Sequence, residues 1–532
     1  MKPILLPGRL QRSQLGIGVL LVLSLLLEVH PPAAAQQGAA NAATQPPLGS
    51  AMTLEQLNAA KSQSNSPAPA VDELPAPHDV MPAAEPVPAL RLKFYPEVWE
   101  RRPGQAALHF SRAVVAMSQI PRESLVQWQS EEWLQGRGEG TLPTDEELET
   151  AVQALAPVFT ELHELAFSED LTFDHRLRDI EGPELFEYTL GDVQEVRTFA
   201  RLLQLRVRHQ LKQKDFEGAI RSIRDGIRLA EFVGQGETLI QRLVGIAVAS
   251  IMRECILNAI STDGCPNLYW AVASIPPSLV ETADSARWEL NNIVRIFPAI
   301  GRAGRETWSE ETANAEWRNM MLQLKGMVGQ RSAKDATLIA AAAISAAQIS
   351  EARTRLLKSG MTEDQLDQMP STQLILIDTG RELTLWGNEL SKSMYLPPHL
   401  GQPLNRAAQQ RFNGWIKENR HTSSAAMIAA LLFPAVVQVR EAELRFQMAR
   451  NQLMTLEAIR MHAATRHSLP ATLDQLSPVP ALPDPWVNQP FEYSVEEVDG
   501  HSVVTLEAAG PLSWKKLRVL RVRFPQGLNS AP

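Results

Sequence analysis

His163 and Glu164 open like the zinc-protease motif H-E-x-x-H, where two histidines four apart share one helix face and the glutamate serves as base. The residue four beyond His163 is Phe167, so the second ligand is missing. His462 and His467 stand five apart, a poor match for a shared face, and no carboxylate cluster completes a site around them. There is no G-x-S-x-G elbow to present an esterase-type serine. Gly136-Arg137-Gly138-Glu139-Gly140 looks like a phosphate loop, but it follows no strand and lacks the Lys-Ser/Thr ending, so it reads as a connector. Gly234-Gln235-Gly236 reads as a helix C-cap and turn. Glu131-Glu132 and Asp145-Glu146-Glu147 place carboxylates in first helical turns, where the helix dipole favours them, and nothing specific pairs them for glycoside hydrolysis. The sequence therefore assigns no catalytic residue, no cofactor site and no metal site.

The cysteines narrow the chemistry further. Only Cys255 and Cys265 occur, which excludes a disulfide-built scaffold and any four-thiolate metal cluster. Cys255 falls near the end of an apolar helical run and Cys265 just beyond Asp263-Gly264. One bridge could staple the helix end to its exit loop; two unpaired thiols fit the spacing equally.

The elements that would position any site are overwhelmingly helical. Thr144 to Glu147 has the capping-box form, and Leu148, Val152, Leu155, Phe159, Leu162 and Leu165 follow at helical spacing. Val193 to Val207 carries a second apolar stripe, and Phe216 to Ala230 a third after the break at Lys214-Asp215. Residues 198–232 resemble a tetratricopeptide hairpin, with small Ala219 at the crossing, but no convincing 34-residue array accompanies it. Glu237 to Ile260 is apolar nearly all round and interrupted by Arg242, Arg253 and Glu254, as expected of a central bundle helix. Further helices are expected over Leu338 to Leu357, Thr372 to Met394 and Ala435 to Arg466. Beyond Leu469 the period changes. Phe491, Tyr493 and Val495 alternate, Asp499-Gly500 suits a two-residue hairpin turn, and Leu517 to Phe524 reads as a third strand. The expected fold is mostly α: an irregular helical-hairpin, tetratricopeptide-like bundle with a small C-terminal antiparallel sheet.

The N-terminus supplies an address. Lys2, Arg9 and Arg12 precede the apolar run Leu15 to Leu27, and Ala33-Ala34-Ala35 offers a small-x-small cleavage site. Export to the periplasm or the extracellular space is expected, with membrane contact only if this segment stays uncleaved. Residues 36–90, rich in Pro, Ala, Gln and Asn, read as a disordered linker. The expected division is a signal peptide over 1–35, that linker, a helical domain over 91–467 and a helix-loop-β module over 468–525. A net charge of −9 without a basic, aromatic-studded stripe argues against nucleic acid as a partner.

Several short runs resemble a known group. Glu457-Ala458-Ile459-Arg460, His462-Ala463-Ala464, Asp484-Pro485-Trp486 and Pro490-Phe491-Glu492-Tyr493 are similar to the C-terminal signature of uncharacterised secreted helical proteins of planctomycete-type bacteria. Gln105 to Leu108, Arg201 to Leu203 and Met369-Pro370 with Gln373 to Leu376 fit the same pattern. That likeness implies architecture and export, not chemistry. The C-terminal run also resembles the mini-fold that ends type II secretion pseudopilins, although Val487 replaces the usual glycine and no prepilin cleavage signal precedes Leu15. Asp484, Pro485, Trp486, Phe491 and Tyr493 are expected to shape this module and not to bind a ligand. The function expected is an exported scaffold that meets an unknown envelope protein or peptide. An envelope hydrolase with a dispersed active site, or an accessory factor of a secretion or pilus-like machine, is the alternative.

Overall fold

A computed structural model describes residues 74–528, apart from 139, 173–174, 183–184, 186–191, 328–347, 420–421, 512–513 and 515–516. The expected signal peptide, most of the expected linker and the start of the Leu338 to Leu357 helix lie outside the described residues. The protein is mostly helical with a small sheet at its C-terminal end.

Strand β1 (His78–Asp79) is followed by β2 (Arg102–Gln105) and helix α1 (Ala106–Met117). Helices α2 (Asp145–Ala154) and α3 (Ala156–Phe167) lead into the short strand β3 (Ser168–Asp170), which pairs in parallel with β2. The capping box at the start of α2 forms, with the Glu147 amide donating to Thr144 Oγ1 at 3.2 Å and the Thr144 amide to Glu147 Oε2 at 2.8 Å. Helices α4 (Asp192–Lys212), α5 (Phe216–Gly234) and α6 (Leu239–Ile260) pack against one another, joined by short turns. Gly245 of α6 lies so near α5 that a Cβ would meet Ala230 O at 2.7 Å and Gly234 Cα at 2.8 Å. Two backbones can approach this closely only where a side chain is absent. By length and composition α6 could cross a membrane, yet most of it is buried inside the fold, as suits a central helix.

Helices α7 (Ala283–Ile296), α8 (Pro298–Ala303) and α9 (Glu310–Met327) pack around α10 (Ser371–Ser391), joined there by α11 (Pro398–Asn419) and α12 (Ser424–Leu432). The last helix, α13 (Pro434–Arg466), returns to the first group of helices. Among the described residues two large apolar cores result, beside smaller clusters. One gathers Phe110, Phe199, Ile223, Val248 and Met252 with Leu456, Ile459 and Val522. The other gathers Phe297, Trp317, Ile375, Leu376, Phe412 and Phe433. Residues expected as one helical domain over 91–467 thus enclose two cores, and Val439 joins Leu239, Ala286 and Met394 in a small cluster of its own.

The expected antiparallel C-terminal sheet forms, and a further strand extends it. Strands β4 (Glu492–Val498), β5 (His501–Glu507) and β6 (Val519–Phe524) are antiparallel neighbours, and Asp499 and Gly500 turn the first pair with φ of 52° and 74°. Strand β1 then adds in parallel to β6, so the sheet is mixed. The linker boundary at residue 90 moves with it. Residues 74–90 are part of the folded body: Val80 is buried and its amide donates to Arg523 O at 2.9 Å. Composition alone concealed this, because the segment gains its order from partners hundreds of residues away.

Candidate functional site

His163 does have a carboxylate partner, though not the one a zinc motif would supply. Its Nδ1 lies 3.3 Å from Asp225 Oδ1 and 3.2 Å from Oδ2, across the packed faces of α3 and α5. Asp225 is buried at 1% exposure, and burial pushes its carboxyl up from the ordinary range against the opposing pull of His163, Arg224 and Arg206. A buried aspartate beside one ring nitrogen orients an imidazole and leaves the other nitrogen to face outward. Phe167 stacks edge-on to His163 at 5.1 Å between centroids. The glutamate of the motif, Glu164, instead accepts a bond from Arg102 at 2.6 Å.

Two arginines flank this dyad. Arg224 lies over the Phe167 ring at 4.5 Å, and its Nε stands 3.8 Å from Asp225 Oδ1, beyond hydrogen-bond range. Arg206 on α4 lies over the Phe159 ring at 4.8 Å. Exposed Arg221, one turn before Arg224 on α5, repels both. Burial chiefly, and then this like charge, lowers the pKa of Arg206 and Arg224 from the usual arginine range. The signal in the sequence was Arg221, Arg224 and Arg228 at helical spacing around Asp225 within an otherwise apolar stripe; what it lacked was α3 and α4.

Other buried charges hold the frame together. Arg228 donates to Ala166 O at 2.9 Å, Ser168 O at 2.8 Å and the Tyr95 hydroxyl at 3.0 Å, and pairs with Glu231. Burial, reinforced by the charge of Glu231, pushes the Tyr95 phenol up to about 12. Arg460 donates to Met81 O at 2.8 Å and Cys265 O at 3.0 Å, which binds α13 to the N-terminal segment and to the loop after α6.

Cys255 and Cys265 are both buried and both free, so no bridge staples the helix end to the loop. Burial pushes the Cys255 thiol up, and the Cys265 thiol up to about 12, which disfavours the nucleophilic thiolate. His462 is buried with Nδ1 unpaired, and burial lowers its pKa, whereas His467 is exposed and ends α13 at a left-handed φ of 54°. Gly136 caps the short helix Glu131–Gln135 at a left-handed φ of 69°, and Glu132 accepts from the Gly140 amide at 3.0 Å, so this stretch is a helix exit. In the C-terminal module Asp484 Oδ1 accepts from the Trp486 amide at 2.9 Å and Oδ2 from the Ala509 amide at 2.7 Å. Trp486 meets Trp514 edge-on at 5.0 Å, Phe491 is buried, and the Tyr493 hydroxyl donates to Pro470 O at 2.8 Å. Pro485 stands between the Asx-turn residues Asp484 and Trp486.

No family model, no curated protein and no solved structure matches this chain. Function must therefore be argued from the site itself. Among the described residues no group of three or more His, Cys, Asp and Glu could hold a metal ion.

A second local feature is a helix turned inside out. The first turns of α11 bury Gln402 and Asn405 against the fold while Leu400 and Leu404 stand 54% and 52% exposed. Leu396 and Tyr395, just before the helix, are exposed beside them. The void on the inner side, lined by Ser393, Gly401, Gln402, Asn405 and Arg440, has a volume of about 10 Å³, the size of one water.

Proposed function

We propose that the protein is an exported scaffold of the cell envelope whose tetratricopeptide-like helical body docks a protein or peptide partner. The observation that carries this reading is the inverted start of α11, where polar Gln402 and Asn405 face inward and Leu400 and Leu404 face water. Each leucine, about half exposed, forgoes roughly half of the 1.5–3 kcal/mol that full burial contributes, and together with exposed Tyr395 and Leu396 the pair offers a contiguous apolar surface to a partner. The helix presents the two leucines one turn apart, the spacing that suits an apolar helix or extended peptide. Export rests on the basic, apolar and small-residue pattern of residues 1–35, and the likeness to secreted helical proteins of planctomycete-type bacteria agrees with it.

The experiment is crosslinking in the native host followed by fractionation. The chain is expected in the exported fraction with a protein partner, and Leu400→Glu with Leu404→Glu is expected to abolish that crosslink at an unchanged melting temperature. Retention of the mature chain in the cytoplasm, or a crosslink indifferent to the double substitution, overturns the reading.

A further inference from the structure

We propose that the free edge of β4 takes up an extended peptide of alternating basic and apolar residues as a further strand of the sheet, independently of the docking ridge on α11. The sheet runs β1-β6-β5-β4, so β4 has a neighbouring strand on one side only. Val498 and His501 flank the two-residue turn and so exchange both hydrogen bonds of their pair. Alternation from there turns the peptide groups of Glu492, Ser494 and Glu496 toward β5 and those of Tyr493, Val495 and Glu497 outward. No hydrogen bond within the described residues reaches these outward N–H and C=O groups. Such an edge is a template for strand addition.

The opposite edge of the same sheet shows this mode in use. There β1, from the far end of the chain, pairs with β6, and its Asp79 accepts from Arg523 Nη2 at 2.9 Å. Backbone pairing adds the strand, and opposite charges across the pair favour it. At the β4 edge the sign is reversed. Glu492, Glu496 and Glu497 are exposed, Asp499 follows in the turn, and residues 492–499 include no lysine or arginine. Glu496 lies 4.0 Å from Arg521, while Glu492 and Glu497 have no ion pair among the described residues. The other arginines of this sheet region are taken up, Arg518 by Glu507 and Arg523 by Asp79.

Charge then selects the occupant. A second copy pairing edge to edge would set glutamates against glutamates, which is unfavourable. A strand with Lys or Arg at every second position sets those residues beside Glu492 and Glu496, which share the outer face of the sheet. Its intervening residues then lie beside half-buried Tyr493 and Val495, which pack on the core, so that face calls for apolar side chains.

The test titrates a fluorescein-labelled octapeptide of alternating Lys and Val with the purified full-length protein and reads anisotropy. Saturable binding is expected, together with slowed hydrogen–deuterium exchange over residues 492–498. A block peptide of the same composition, all Lys then all Val, and an alternating Glu-Val peptide should each bind about fivefold or more weakly. Glu492→Lys with Glu496→Lys, both at exposed positions, should weaken binding of the Lys-Val peptide to a similar degree at an unchanged melting temperature. Val495→Pro deletes one outward N–H, spares the bonds to β5 and should also weaken it; where that variant melts early, exchange protection in the parent reads the same backbone pairing. No binding, equal binding of either control peptide, unchanged exchange over 492–498 or indifference to the charge reversal overturns the proposal. A dimer of the free protein that dissociates on Val495→Pro would give the edge to a second copy and overturns it too.

Discussion

Arg460 and Glu457 stand one turn apart on α13, both fully buried, with Arg460 Nη1 2.7 and 3.0 Å from the two carboxylate oxygens. The pair does not end there. Glu457 accepts from the Leu268 amide at 2.6 Å, Arg460 reaches Met81 O and Cys265 O, and Asn267 donates to Glu457 O at 2.8 Å. A buried ion pair gains little over an apolar substitute, but removing one partner strands the other charge. Arg460→Met should therefore cost about 3–5 kcal/mol, and adding Glu457→Met should return part of it. Urea denaturation of the single and double variants measures this; a single variant as stable as the parent refutes the account.

The same clasp makes residues 74–83 part of the fold. A chain beginning at residue 91 loses β1, the Met81 acceptor and the bonds of Ala83, which donates to Arg460 O at 3.1 Å and accepts from Asn267 at 3.2 Å. Its melting temperature should fall relative to a chain beginning at residue 74. Equal melting would place the boundary at 90 after all.

Gly245 gives a local test of helix spacing. A methyl group there meets Ala230 O and the Gly234 backbone, neither of which can swing aside. Gly245→Ala should destabilise by about 1–3 kcal/mol despite the better helix propensity of alanine. A gain in stability would show that α5 and α6 can separate cheaply.

The free thiols can be counted. Denatured without reductant, the protein should take up two equivalents of an alkylating reagent, while the native protein should react slowly at both positions because both are buried. Mass spectrometry reads the adducts, and an unreactive denatured chain would mean that Cys255 and Cys265 are bridged.

Tyr95 sets an alkaline limit. Its phenol is held neutral in the fold, so the unfolded chain ionises near the ordinary pH of about 10 and the folded chain near 12. The contribution from the neutral phenol is present below the lower value and is lost as pH rises across that window. Tyr95→Phe should remove a phenolate absorbance step near pH 12 and flatten the loss of stability between pH 10 and 12. An unchanged titration would locate the step elsewhere.

Local rules made most of the helical body legible. The capping box at Thr144, the apolar stripes of α4 and α5 and the all-round apolar α6 each depend on residues close in sequence, and each is where the spacing puts it. The parallel strand β1 could not be read that way, since two residues, His78 and Asp79, owe their extended form to Val522 and Arg523. The same limit applies to the Asp225 site. His163 was visible as a motif fragment, but the carboxylate beside it lies 62 residues away, and only the packing of α3 on α5 joins them. The exposed leucines of α11 were hidden for a different reason: burial of Gln402 and Asn405 reverses what hydropathy alone would select.

Helix α13, at 33 residues, extends for about 50 Å. Its early residue Val439 touches the neighbourhood of α7, while Leu456 and Ile459 belong to the core beneath the sheet. Such a strut makes the two halves of the body mechanically continuous. Strain introduced at one end would be felt at the other, and thermal melting should take both cores down together.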